Sequence, residues 1–132
     1  MYLIDTDTMI YSLKGVPSVV ENFRIHSSDP KAISVITYGE LIYGAEKSRN
    51  VSKNLAKVHR LRELFPVIEV SCSVMDTFGK LKAGLTSRGM TINNFDLMIA
   101  STALTLGYSV VSNNEKHFRK IPELQLENWL AS

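Results

Sequence analysis

The chain has 132 residues, of which 45% are hydrophobic and 21% charged, so it is long enough for one globular domain with a core and too short for two. A formal net charge of +2 permits a nucleic-acid partner without requiring one. The single cysteine, Cys72, excludes an internal disulfide and a thiolate zinc site and is typical of a reducing compartment. We find no leader-like segment and no apolar run of membrane-spanning length, so we expect a cytoplasmic protein without membrane attachment.

Strands and helices are predicted to alternate along the whole chain. In chain order, the predicted elements are a strand at 1–4, helices at 6–14 and 18–26, a strand at 32–35, helices from 37 and at 51–64, a strand at 65–70, helices at 73–88 and 95–106, and strands at 108–112 and 124–126. This alternation is typical of an α/β protein with a mostly parallel sheet covered on both faces. We therefore predict one three-layer α/β/α domain with four to five central strands.

Polar residues indicate where two of the helices begin. Thr6 or Asp7 can cap the helix that follows the first strand. Thr37 is followed three residues later by Glu40, which is the pattern of a capping box. We therefore expect a helix to begin at Thr37 and Glu40 to lie in its first turn.

Three acids fall where predicted strands end or predicted helices begin. Asp5 directly follows the first strand, whereas Glu40 and Asp96 each lie in the first turn of a helix. Strand ends and helix starts can meet at one edge of a parallel sheet, where three carboxylates would repel one another unless a cation held them. Oxygen ligands without sulfur suit Mg²⁺ or Mn²⁺. The pattern therefore predicts a divalent-metal site and phosphate chemistry around it.

Each of these acids also has a structural explanation. The helix dipole alone favours an acid in a first turn, which can account for Glu40 and for Asp96 taken singly. Asp5 can simply cap the next helix. The set of acids is more informative than any one member, provided that the fold brings the members together.

Four segments carry a family resemblance. They are residues 2–11 (YLIDTDTMIY), 34–44 (SVITYGELIYG), 92–103 (INNFDLMIASTA) and 110–118 (VVSNNEKHF). In this order and spacing they resemble the PIN-domain nucleases, and specifically the VapC-type toxins of bacterial toxin–antitoxin pairs. The four segments extend over nearly the whole chain, so the resemblance implies a single PIN domain over residues 1–132.

The resemblance implies an endoribonuclease that depends on Mg²⁺, for which Mn²⁺ can substitute. It also implies an RNA substrate, a VapB-like antitoxin that holds the enzyme inactive, and a homodimer. Asp5, Glu40 and Asp96 would be the acidic metal ligands. Asn114, which follows the last core strand, would be a fourth catalytic residue and position a metal-bound water. Two accessory residues complete the implied site: Ser112, a hydroxyl neighbour, and Asp7, which stands where many relatives carry Asn.

RNA binding beside several acids requires nearby cations. Lys47, Arg49 and Lys53 begin a basic stretch that continues to Arg62, and they are the candidate RNA contacts. A solvated helix face explains the same stretch equally well. Four aromatic residues are expected to be core or dimer contacts rather than platforms for base stacking: Tyr11, Tyr38, Tyr43 and Phe118.

Two other functions are considered. Asp5 and Asp7, separated by one residue after a strand, also resemble the opening motif of haloacid dehalogenase-like phosphatases, in which the first Asp is a nucleophile. That class needs a downstream Lys and a later acidic pair, neither of which follows the fourth strand. A non-catalytic RNA-binding PIN module, with Asp7 and Asn114 marking a degraded site, is disfavoured because all three proposed metal ligands are present.

Overall fold

The computed structural model describes residues 1–131, which form one five-stranded sheet flanked by helices. The strands are β1 (Tyr2–Ile4), β2 (Lys31–Ser34), β3 (Val67–Ile68), β4 (Ser109–Val111) and β5 (Leu126–Glu127). The helices are α1 (Thr6–Leu13), α2 (Pro17–Ile25), α3 (Val35–Glu46), α4 (Val51–Leu64), α5 (Cys72–Ser87), α6 (Asn94–Leu106) and α7 (Glu115–Phe118). Within these described residues, each helix lacks either the length or the apolar character needed to cross a membrane.

The strand order is β3-β2-β1-β4-β5, and every pair of neighbouring strands is parallel. Successive strand residues point to opposite faces of the sheet. Leu3 and Val110 therefore join a core with residues of α5 and α6, whereas Ile4 and Val111 join a second core with residues of α1, α3 and α4. The predicted three-layer α/β/α fold is confirmed.

The order of the strands determines where a site can form. The chain winds outward from β1 through β2 to β3, and then returns to the other side of β1 as β4. Ligands of open parallel sheets bind at the carboxyl edge where the winding changes direction, which here lies between β1 and β4. The Asp5 N–H donates a 2.9 Å hydrogen bond to the carbonyl of Val111, so the residues leaving β1 and β4 stay side by side.

The start of α3 differs from the prediction. The helix begins at Val35, because the Ser34 hydroxyl at the end of β2 accepts a 3.0 Å hydrogen bond from the Ile36 N–H and caps the helix directly. Thr37 is a buried residue within the first turn rather than the cap. The predicted capping box is wrong, and Glu40 is the sixth residue of α3 instead of a first-turn acid.

Two further predictions need correction. The cap of α1 is neither Thr6 nor Asp7, because the Asp5 carboxylate accepts the Thr6 N–H at 2.8 Å. The fifth strand covers Leu126–Glu127 rather than 124–126, since the Leu124 N–H bonds back to the carbonyl of Ile121 in a turn. The short helix α7 was not predicted, because a four-residue helix offers almost no hydrophobic periodicity.

Candidate active site

Asp5 is buried at the junction between β1 and α1, with 5% of its surface exposed. One carboxylate oxygen accepts the Thr6 N–H and so caps α1. The other accepts a 2.7 Å hydrogen bond from the Ser112 hydroxyl, which lies just after β4. The cap therefore accounts for only one of the two oxygens, and each oxygen has a further lone pair with which to bind a ligand.

Asp7 joins the same group of acids instead of capping the helix. Its carboxylate accepts hydrogen bonds from the Asn113 N–H at 3.1 Å and from the Thr8 hydroxyl at 3.1 Å. The first of these bonds attaches the segment after β4 to the first turn of α1. Asp7 is thus an additional acid beside Asp5 that also fixes the segment carrying Asn114.

Burial and, to a smaller extent, the neighbouring charge of Asp7 raise the pKa of Asp5 from 3.8 to about 7. The hydrogen bonds from Ser112 and Thr6 oppose this shift, and Asp96 makes a smaller contribution that raises the pKa. Burial also raises the pKa of Asp7, against the hydrogen bonds that it accepts. The neighbouring carboxylates thus disfavour the ionised form of Asp5, and a bound cation would relieve this repulsion.

Glu40 reaches the site from α3 through Thr6. The Thr6 hydroxyl donates a 2.6 Å hydrogen bond to Oε1 of Glu40 and lies 3.1 Å from the hydroxyl of Thr37. Since Thr6 is the first residue of α1 and directly follows Asp5, this bond holds Glu40 close to the end of β1. Glu40 therefore lies near the end of β1, as the sequence predicted. The prediction placed it in the first turn of a helix that begins at Thr37, whereas it is the sixth residue of a helix that begins at Val35.

Asp96, Asn114 and His117 form a compact polar cluster at the start of α6. Oδ2 of Asp96 lies 3.2 Å from Nδ2 of Asn114 and 3.0 Å from Nδ1 of His117. The two partner nitrogens are 2.9 Å apart. The Asn114 N–H donates to the Ser112 hydroxyl at 2.9 Å, so the cluster is joined to Asp5 through Ser112.

His117 was missed by the sequence analysis. It lies three residues after Asn114 on α7, so both side chains face Asp96 from one side of a helical turn. Its Nδ1 can accept a hydrogen bond from the Asn114 side-chain amide in one tautomer and donate one to Asp96 in the other, but it cannot do both at once. The spacing between Asn114 and His117 was the available signal, and it had meaning only once α7 was known to be a helix.

An open cleft of about 410 Å³ brings the predicted catalytic residues together. Its lining contains all four of them: Asp5, Glu40, Asp96 and Asn114. Asp7 lines the same cleft, whereas Ser112 is fully buried beneath it. The fold therefore assembles the set of side chains that the sequence indicated at the carboxyl edge of β1 and β4.

The donor atoms of this cleft suit a hard divalent cation. They are carboxylate and amide oxygens, without a thiolate. Within residues 1–131, no three His, Cys, Asp or Glu side chains form a ready-made group of metal ligands. Mg²⁺ does not need such a group, because it commonly binds proteins through one or two carboxylates and keeps several waters. The residues of the cleft thus fit a cation held by a few carboxylates and exposed to solvent.

The candidate RNA-binding cations occupy different positions around the cleft. Lys47 lines a neighbouring cleft that also contains Glu40, and Lys14 and Lys57 line another one that borders Glu40. Arg49 and Lys53 are exposed and line neither of these two clefts. The sequence could not rank the cations, because their distance from Glu40 depends on how α1, α3 and α4 pack together.

The fold and the cleft define an α/β protein with an acidic site at the switch point of a parallel sheet. A family model described as PIN domain matches residues 2–124, and the chain belongs to the PIN-domain family. This membership confirms the resemblance carried by the four sequence segments. It leaves the phosphatase alternative, which rested on Asp5 and Asp7 alone, without support.

Relatives and solved structures match over nearly the full length. The chain is 36% identical over 129 residues to a tRNA(fMet)-specific endonuclease VapC from Salmonella typhimurium, covering 97% of each sequence. It is 34% identical over 131 residues to Ribonuclease VapC2 from Rickettsia felis, covering 98% of each. The crystal structure of VapBC2 from Rickettsia felis, bound to a DNA fragment from their promoter, superposes with a TM-score of 0.90 at 34% identity, covering 97% of this chain and 98% of that chain.

Proposed function

We propose that this PIN-domain protein is an endoribonuclease that acts as the toxin of a toxin–antitoxin pair. It hydrolyses phosphodiester bonds in RNA in the cytoplasm, and a VapB-like antitoxin holds it inactive. The convergence of Asp5, Glu40, Asp96 and Asn114 in one open cleft carries this proposal. The similarity to relatives named VapC ribonucleases and to a solved VapBC complex supports it.

Mg²⁺ is the proposed cofactor, with Mn²⁺ as a substitute, and the chain is proposed to act as a single domain that forms a homodimer. When bound, such a cation activates water and neutralises charge on a phosphodiester. Asp5 and Asp96 would hold it, because both line the cleft and because burial and the neighbouring charge of Asp7 disfavour the ionised form of Asp5 without a cation.

The remaining polar residues position the reactants. Glu40 has one oxygen engaged by the Thr6 hydroxyl, so its other oxygen can accept a hydrogen bond from the attacking water or bind the cation. Asn114 adds an oxygen acceptor without adding charge. Asp7 fixes the loop after β4 and increases the negative charge of the site, which favours binding of a divalent cation over a monovalent one.

A tRNA is the substrate to test first, because the Salmonella relative is named as an endonuclease specific for tRNA(fMet). Ribosomal RNA is the second candidate. The purified protein is expected to cleave deproteinised total RNA at discrete positions in the presence of Mg²⁺ or Mn²⁺. Cleavage should stop in excess EDTA and return when the cation is restored. Binding of RNA without cleavage under all of these conditions would instead support a non-catalytic RNA-binding module.

The toxin assignment has a separate test. Induced expression of the wild-type chain should slow bacterial growth, and co-expression of an antitoxin encoded beside it should restore growth. If wild-type protein slows growth no more than the Asp96→Asn variant does, the toxin assignment is wrong even if the protein cleaves RNA in vitro.

Replacing His117 by Ala should lower cleavage by about 10- to 100-fold, the usual cost of removing a group that orients a metal ligand. His117 lies 3.0 Å from Oδ2 of Asp96 and 2.9 Å from Nδ2 of Asn114, so its loss frees both side chains to rotate. The Mg²⁺ concentration that gives half-maximal cleavage should rise in parallel. The neighbouring exposed residue provides the control, Lys116→Ala. An unchanged Mg²⁺ requirement in His117→Ala would contradict a positioning role.

A further inference from the structure

Two aromatic side chains lie exposed beside the acidic cleft. Phe118 lies in the core, as expected, but Tyr43 on α3 is 65% exposed and Phe95 on α6 is 50% exposed. Single exposed apolar residues are common on protein surfaces. These two residues differ because they line the same cleft. Tyr43 is therefore not a core residue, and the other expectation for it, a dimer contact, stays a prediction.

This second cleft, which we call the aromatic cleft, has a volume of about 710 Å³ and a mostly apolar lining. It shares Thr6, Ile10 and Glu40 with the acidic cleft, so the two clefts adjoin each other. Gly39 forms part of its lining, and a methyl group added there would meet no atom within 4 Å. The aromatic cleft is therefore open to a flat group that enters beside Glu40.

We propose that the aromatic cleft is a nucleobase subsite, in which a base of single-stranded RNA next to the cleaved phosphodiester stacks on Phe95 and Tyr43. This inference rests on the proposed function, because the acidic cleft must hold the phosphodiester for the base to reach the neighbouring rings. Lys47, which also lines the aromatic cleft, pairs with the next phosphate.

The positions of the two rings support a base at this place. Phe95 immediately precedes Asp96 on α6, and its ring lines the aromatic cleft, which shares Glu40 with the acidic cleft. Glu40 and Tyr43 on α3 and Lys47 at its C-cap follow one another at helical spacing and lie along one face of the helix. Lys47 is therefore about 10 Å from Glu40 along the helix axis. RNA that leaves the acids along this face meets a ring first and a cation next.

The chemistry of the cleft favours RNA over a protein partner. Exposed aromatic faces bind bases by stacking with little regard to sequence, and cations beside them hold the backbone. Nζ of Lys47 lies 4.9 Å from the centroid of the Tyr43 ring, so ring and cation act as one surface. A purely apolar contact with a protein would need no cation at this point. An RNA base and a protein partner in this cleft would also respond differently to substitution of Phe95.

Two substitutions of Phe95 separate stacking from a general apolar contact. Phe95→Leu keeps an apolar side chain and removes the aromatic face, whereas Phe95→Trp enlarges that face. For cleavage of a fluorescently labelled single-stranded RNA, Phe95→Leu should raise KM about five- to 100-fold with little change in kcat, and Phe95→Trp should retain or lower KM. Leu64→Ala, at an exposed apolar residue on α4, is the matched control and should leave KM unchanged.

Substrates that lack one base provide a second test. A series of RNAs is prepared in which one nucleotide near the cleaved bond is abasic, at a different position in each. For one of these RNAs, the affinity of wild-type protein should be as low as the affinity of Phe95→Leu for the complete RNA. Combining that abasic RNA with Phe95→Leu should cause no additional loss, because both changes remove the same contact. Additive losses for every abasic position would overturn the subsite.

The outcomes also distinguish this proposal from the proposed function. If wild-type protein cleaves RNA but Phe95→Leu has the wild-type KM, the subsite is wrong and the nuclease assignment stands. If Phe95→Leu instead changes the molecular mass measured by sedimentation while KM is unchanged, the aromatic cleft is a contact between copies of the chain. If wild-type protein cleaves no RNA, the nuclease assignment fails independently of Phe95.

Discussion

Replacing Asp96 by Asn is expected to lower RNA cleavage by about 10³-fold or more, because a bound divalent cation contributes several kcal/mol to stabilising the transition state of phosphodiester hydrolysis. Asn has nearly the same shape as Asp, so packing at the start of α6 is retained while the negative charge is lost. The variant can still form a hydrogen bond with either Asn114 or His117. The loss should therefore appear in cleavage rather than in folding.

The measurement compares initial rates of cleavage over a range of Mg²⁺ concentrations for wild type, Asp96→Asn and Asp76→Asn. Asp76 is an exposed acid on α5, outside the cleft, so its substitution removes one negative charge without touching the site. It should cleave at the wild-type rate. If Asp96→Asn also retains more than about a tenth of the wild-type rate at saturating Mg²⁺, the acidic cleft is not the catalytic site.

The sequence predicted the central part of the fold because its signals there are local. Leu55, Val58 and Leu61 recur at helical spacing, and α4 begins and ends at the predicted residues. The error at α3 arose from two competing local signals. Thr37 and Glu40 matched a capping box, but Ser34 stands at the end of β2 and caps the helix before that pattern can act. Which of the two residues, Ser34 or Thr37, caps the helix depends on where β2 ends.

The site shows a similar division between what sequence can and cannot specify. Asp5 and Asp96 could be selected together because acids at strand ends and helix starts converge in a parallel fold, and Glu40 joins them in the cleft although it is the sixth residue of α3. The contacts of Asp7 and His117 could not, because each depends on the path of the segment after β4. The Asn113 N–H bonds to Asp7, and α7 turns His117 towards Asp96. Such contacts follow from tertiary packing rather than from periodicity.

The metal-free protein should lose stability as the pH rises from about 4 to about 7, and Asp5→Asn should remove most of that loss. Burial and the charge of Asp7 raise the pKa of Asp5 in the folded state from 3.8 to about 7. The folded state therefore binds the proton more tightly than the unfolded state does. The stabilisation is complete below pH 4, decreases through this interval and is absent above the folded-state pKa. Its upper limit is about 4 kcal/mol.

The free energy of unfolding by urea is measured for wild type and Asp5→Asn between pH 4 and pH 8, in EDTA. The difference between the two proteins at each pH gives the contribution of Asp5. The pKa values of exposed Glu21 and Glu115 are lowered by Arg24 and Arg119. Both residues are present in the two proteins, so their contributions to the pH dependence of stability cancel in the difference. The Asn variant can still cap α1 through its side-chain oxygen, while Ser112 accepts a hydrogen bond from its amide. At pH 8, Mg²⁺ should stabilise wild-type protein and have little effect on Asp5→Asn, because the cation replaces the proton on the buried carboxylate. Parallel pH curves for the two proteins would show that Asp5 is not a buried acid with a raised pKa. Equal stabilisation of both proteins by Mg²⁺ would show that Asp5 is not a metal ligand.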